Sequence, residues 1–204
     1  PITPPGGEPH LASSAGATVM IHRVGSPGEL HAVRLDGTAP ISTLSTQDPI
    51  EADLTATRLA PDHFRLVTNT ASGVRDAHWL HRRSDGFDVS IVDVTGAYGC
   101  LCLWGPQARE VLGPLTDDPL DFGFMTARSL LVGAVPVLAQ RVTFVGEFGW
   151  ELYAGAEYTL TLWDLLLESG VAKPAGYRAI DSMRLEKGYR VWGSDITPET
   201  TPDE

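Results

Sequence analysis

Residues 176–196 hold the densest set of side chains able to bind a flat, anionic ligand. Arg178, Arg184, Lys187 and Arg190 concentrate positive charge there, and Tyr189 and Trp192 follow a glycine stop at Gly188. Two aromatic rings beside a basic helix end can hold a planar ring that carries carboxylates. An amphipathic helix is the plainer account: Ala179, Met183 and Leu185 would face inward, and Arg184 stands three residues after Asp181, the spacing of a helical ion pair. A second set lies in residues 141–153, where Glu147 and Glu151 flank Trp150 and Gly146 and Gly149 permit a bend. A carboxylate at the rim of an aromatic pocket accepts two parallel hydrogen bonds from a ring rich in N–H donors. The alternative is one glutamate paired with a surface arginine and the other solvated. Third is Asp53, an acid inside the alternating stretch Ile50–Leu59. It either shares a solvent face with Glu51 or does chemistry, steering a proton or stabilising a developing cation.

These residues sit in a chain of 204 residues with 43% hydrophobic content, enough for a real core. The formal net charge of -11 argues against nonspecific binding to nucleic acid or to an anionic membrane surface. No run of about 18 apolar residues is present and no secretory signal opens the chain, so a soluble, cytoplasmic protein is expected. The chain begins at Pro1 and stops at Glu204, and either end is read as cut from something longer. Cys100 and Cys102 would face one way on a strand without forming a relaxed disulfide, and are expected as small buried hydrophobes. His78 and His81 have no cysteines near them, so no metal site is expected. Dinucleotide and phosphate-loop fingerprints, a nucleophile elbow and a zinc-protease helix are all absent.

The elements that must position these groups follow from periodicity and turn signals. Residues 1–16 form a Pro/Gly/Ser-rich arm, and Ala17–Val24 and Glu29–Leu35 read as short strands. Ile50–Leu59 and Phe64–Thr68 suit a hairpin, and Val74–Arg82 a helix. A second unit is expected to start at the Asp85-Gly86 turn. In it Phe87–Val94 and Cys100–Leu103 read as strands, Pro106–Leu112 as a helix, Leu130–Phe144 as one or two strands, and Thr159–Ser169 as a helix. This order predicts an α+β fold with antiparallel sheets packed against helices. The expected division is an arm over 1–16, a partial first subdomain over 17–84 and a second over 85–204.

Taken together, the strings at 103–109, 146–153, 184–190 and 192–197 resemble the folate-binding aminomethyltransferase family, which includes the glycine cleavage T-protein. Arg184-Leu-Glu-Lys-Gly-Tyr-Arg190 and Gly149-Trp-Glu-Leu-Tyr153 are most similar to the tetrahydrofolate half of dimethylglycine and sarcosine dehydrogenases and oxidases. The resemblance runs over roughly residues 50–204. It implies a T-protein-like fold, apparently truncated at both ends, and tetrahydrofolate as the cofactor. It further implies capture of a one-carbon unit from an N-methylated or aminomethyl amine donor, giving 5,10-methylenetetrahydrofolate. As no flavin domain is present, amine oxidation would fall to a flavin dehydrogenase domain or subunit.

Carried over position by position, the resemblance makes Asp53 the strand carboxylate beside the reacting nitrogens and Glu151 the pterin-binding glutamate, with Leu152 and Tyr153 beside it. Thr55, Val67 and Asn69 match the strand positions lining the same pocket, and Tyr189 a tyrosine near the folate. Arg184 and Trp192 complete the folate-binding set through the helix motifs. Phe144 stands where many T-proteins have tyrosine, which keeps a stacking face and loses a hydroxyl hydrogen bond of roughly 1 kcal/mol. T-proteins usually carry two adjacent aspartates where this chain has Ala52-Asp53, which favours the dehydrogenase-associated branch. Ile180 replaces an arginine, with Arg178 the candidate substitute. The alternatives are a non-catalytic folate-binding module and a truncated, inactive relative. The iron–sulfur-assembly branch is disfavoured because Tyr189, not cysteine, follows Lys187-Gly188.

Overall fold

The computed structural model describes residues 18–22, 31–34, 54–60, 63–68, 71, 73–84, 89–191, 193–197 and 199–200. The chain divides into two units, one of residues 1–93 with 190–204 and one of residues 94–189. The division falls at 93/94, and the last fifteen residues group with the first unit.

In the first unit, strands β1 (Thr18–His22) and β2 (His31–Arg34) pair antiparallel, as do β3 (Leu54–Ala60) and β4 (His63–Thr68). Helix α1 (Gly73–Arg83) follows, burying Leu80 and Asp76 and leaving Val74 exposed. The expected hairpins and helix are therefore present. The expected strand Phe87–Val94 is not formed over residues 89–94, which carry no regular structure and leave Val89, Val92 and Val94 exposed. Among the described residues no strand pairs with this segment, and apolar alternation without a pairing strand does not make a ladder. The 1–16 arm and residues 85–88 lie outside the described residues.

The second unit is built on one antiparallel sheet in the order β5 (Tyr98–Trp104), β8 (Gly149–Gly155), β7 (Val135–Gln140), β6 (Ala127–Val132). The Leu130–Phe144 stretch thus resolves into two strands turning at residues 133–134, and β8 supplies the sheet's second position. Helices α2 (Ala108–Leu112), α3 (Thr159–Glu168) and α4 (Tyr177–Glu186) complete the unit. Period-two alternation sends Leu103, Leu130, Val132, Val137, Ala139, Trp150, Leu152 and Ala154 to one face, where they pack with Val111 and Leu112 of α2 and Leu162 and Leu166 of α3. This is an α+β arrangement of antiparallel strands and helices, as the sequence predicts.

Candidate functional site

The other face of that sheet carries the titratable groups of β5 and β8. Residues directly opposite in an antiparallel pair point the same way. The register pairs Cys102 with Glu151 and Glu151 with Gln140, and in the next row Cys100 with Tyr153 and Tyr153 with Leu138. Two thiols, a carboxylate, a phenol and an amide therefore share one surface: Cys100 and Cys102 at alternate positions of β5, Glu151 and Tyr153 at alternate positions of β8, and Gln140 at the end of β7. Gly149 makes the entry to β8 possible. Its φ is +151°, and a Cβ would run into the Leu103 carbonyl oxygen and sit 2.8 Å from the Trp104 Cα.

Within the cluster the Tyr153 hydroxyl donates to Glu151 Oε2 at 2.7 Å. Glu151 is half-buried, and burial raises its pKa above the ordinary 4.5 while the Tyr153 hydrogen bond works the other way. Tyr153 is buried and its phenol is pushed up, first by desolvation and then by the Glu151 charge. The Cys102 thiol is also pushed up, first by its hydrogen bond with Cys100, then by desolvation, with the Cys100 and Glu151 charges adding to the effect. Contiguous groups that all hold their protons tightly are a recurring property of functional sites. Among the described residues one Glu151 oxygen is engaged by Tyr153 and the other is left to accept from a ligand.

Cys100 and Cys102 correct the expectation of small buried hydrophobes: both are exposed, and neither is in a disulfide. The helices cover the Leu101–Leu103 side of β5, so alternation sends the two thiols outward. Glu151 and Tyr153 lie together as expected. Leu152 is fully buried on the opposite face, where it supports the strand and does not join the cluster. Glu147 does not share a face with Glu151; it lies in the bend between β7 and β8 and pairs with Lys187 at 3.0 Å. Phe144 is half-buried in the same bend.

At the end of α4 the expected inward set is corrected. Ala179 and Leu185 are exposed, and Arg184 is the buried residue. Its Nε donates to Asp181 Oδ1 at 2.7 Å and one terminal nitrogen to the Tyr189 carbonyl at 3.0 Å, while the Tyr189 N–H returns to the Arg184 carbonyl at 2.9 Å. Gly188, with φ +75°, stops the helix as predicted and lets the chain double back. Arg184 thus closes the helix end and holds half-buried Tyr189 against it. With Arg184 on Asp181 and Lys187 on Glu147, two of the four expected basic groups are already neutralised.

In the first unit Thr55 and Val67 are directly opposite on β3 and β4 and so share one face, both half-buried. Asp53, Asn69 and Trp192 lie outside the described residues. No group of three or more His, Cys, Asp or Glu able to hold a metal ion occurs among the described residues. No helix among them is long and apolar enough to cross a membrane.

Residues 37–204 match the GCVT N-terminal domain. The chain belongs to that family. Among curated relatives of this GCVT domain, human mitochondrial dimethylglycine dehydrogenase is 36% identical over 169 residues, covering 79% of this chain and 20% of that protein. The mouse mitochondrial enzyme of the same name is 34% identical over the same length. The chain therefore spans about a fifth of the length of these relatives. The solved structure of glycine cleavage system aminomethyltransferase T from Bartonella henselae superposes with a TM-score of 0.68 at 32% identity, over 76% of this chain and 41% of that one. The fold of the GCVT domain described here is thus the aminomethyltransferase T fold.

Proposed function

We propose that this GCVT domain is a tetrahydrofolate-dependent one-carbon transferase that accepts a carbon unit from an N-methylated or aminomethyl amine, with a flavin dehydrogenase domain or subunit oxidising that amine. The observation that carries the reading is the Glu151 carboxylate. It is half-buried, braced on one oxygen by Tyr153, and held on a rigid strand with an oxygen left to accept from the N–H groups of a pterin ring. Burial makes the ionised carboxylate costly there and pushes its pKa up, against the Tyr153 hydrogen bond. A ligand that brings N–H donors to both oxygens offsets that cost and gains charge-assisted hydrogen bonds, each about 1.5–3 kcal/mol.

Tetrahydrofolate supplies the amine nitrogens that take up the carbon. The chain's own residues orient it: Glu151 fixes the ring and Tyr153 fixes Glu151, and the family resemblance adds Thr55, Val67, Asn69, Phe144, Tyr189 and Trp192 to the proposed folate-binding set. Asp53 is the proposed carboxylate at the reacting nitrogens, a role carried over from the family resemblance. Arg184 acts through the fold, holding Tyr189 at the end of α4.

Calorimetric titration of the chain with tetrahydrofolate tests the reading. Saturable binding is expected, weakened about 10- to 100-fold in Glu151→Gln with an unchanged circular-dichroism spectrum. A well-folded wild type that binds no tetrahydrofolate, or a Glu151→Gln variant that binds equally well, overturns it.

A further inference from the structure

We propose that Cys100 and Cys102 form a dithiol site for a one-carbon aldehyde, captured first as an S-hydroxymethyl group and then as a methylene bridge between the two sulfurs. The pair is exposed, free of a disulfide, and on one face of β5, in register with Tyr153 and Glu151 of β8. The two thiols are hydrogen-bonded to each other, and Glu151 is close enough for its charge to act on Cys102. Residues i and i+2 of a strand stand roughly 6.6 Å apart at Cα, near the upper limit for a disulfide. A methylene inserts one further atom between the sulfurs and relaxes that span. A bridge through carbon therefore fits where a direct S–S bond is strained.

The steps balance without an oxidant. One sulfur bonds to the aldehyde carbon, the carbonyl π pair moves to oxygen, and the thiol proton ends on that oxygen. The hydroxyl then leaves as water, taking the proton of the second thiol, as that sulfur forms the second C–S bond. The two sulfurs share one face of β5, so whichever makes the first bond leaves the other beside the new carbon to make the second. Glu151, opposite Cys102, is the carboxylate placed to carry the proton to the departing hydroxyl. The choice of an aldehyde ligand rests on the proposed function, in which the transferred carbon is at the formaldehyde oxidation level. A dithiol on the Glu151 face would hold a carbon unit that arrives before its acceptor.

The experiment is incubation of the full chain with carbon-13 formaldehyde, read by intact mass and by mapping the peptide 84–109, which contains both cysteines. The expected product is heavier than the free chain by one carbon atom, with the label bridging Cys100 and Cys102. It should be lost in Cys100→Ser, in Cys102→Ser, and in wild type whose thiols are alkylated beforehand while folded. Label confined to lysines, or an equal bridged product in either serine variant, overturns the proposal. Tetrahydrofolate titration of the same preparations separates the two readings. Folate binding without the bridge sinks the dithiol site alone, whereas a bridge without folate binding supports the dithiol site and sinks the transferase reading.

Discussion

At the scale of single residues, Glu151 ties stability to pH in a direction opposite to that of a salt-bridged carboxylate. Its folded-state pKa is raised by burial, so the protonated form is favoured in the native state. The native chain then binds more protons than the unfolded one between the ordinary value near 4.5 and the raised value. The stability this contributes is full below the lower value and is lost as pH rises through the upper. Glu151→Gln, which keeps the shape without the charge, is expected to melt at or above the wild-type temperature near neutral pH, with the advantage shrinking as pH falls toward 4.5. Thermal melts across that range check it; an advantage that grows on acidification would refute the buried-carboxylate account. Tyr153→Phe removes the one hydrogen bond that stabilises the ionised form. It should raise the Glu151 titration midpoint further and cost about 0.5–1.5 kcal/mol, measurable by NMR titration and denaturant unfolding.

At the scale of elements, the sheet and the end of α4 depend on different devices. Gly149→Ala places a Cβ against the Leu103 carbonyl where β8 meets β5. Since the strands cannot separate without losing the ladder, a loss of more than about 2 kcal/mol is expected, with the β5–β8 amides losing hydrogen-exchange protection first. The two ion pairs at the end of α4 should behave unequally. Arg184 is buried and satisfies both Asp181 and the Tyr189 carbonyl, so Arg184→Met is expected to cost about 1.5–3 kcal/mol and to free Tyr189. Lys187 and Glu147 are both substantially exposed, and Lys187→Ala should leave the melting temperature within error. Equal effects of the two substitutions would contradict this division.

For the whole molecule, the net charge of -11 acts on any anionic ligand before contact is made. The local positive field that could oppose it is reduced, because Asp181 and Glu147 neutralise Arg184 and Lys187. Tetrahydrofolate carries carboxylates, so its association rate is expected to rise as added salt screens the repulsion over a Debye length of about 10 Å at 0.1 M. Stopped-flow mixing at two ionic strengths reads this. A rate that falls with salt would mean that an attractive patch dominates the approach.

The alternation of β3 and β4, the amphipathic period of α1, the glycine stop at Gly188 and the pairing distance of Arg184 and Asp181 are local properties. They were legible in the chain because each is fixed within about one turn or one hairpin of sequence. The position of Glu151 beside Tyr153 also follows from their spacing. What lay beyond the sequence was which side of each element found a partner. The same alternation that suggested a strand at 87–94 formed none over 89–94, where no described strand pairs with it. In α4, Arg184 turned inward and Leu185 outward because Asp181 and the returning Tyr189 carbonyl satisfied the guanidinium. The two cysteines became part of the chemical face only when β8 set Glu151 and Tyr153 opposite them and the helices closed over the other side. A one-residue change of register reverses every side chain on a strand, so the face a residue joins is decided by pairing partners tens of residues away.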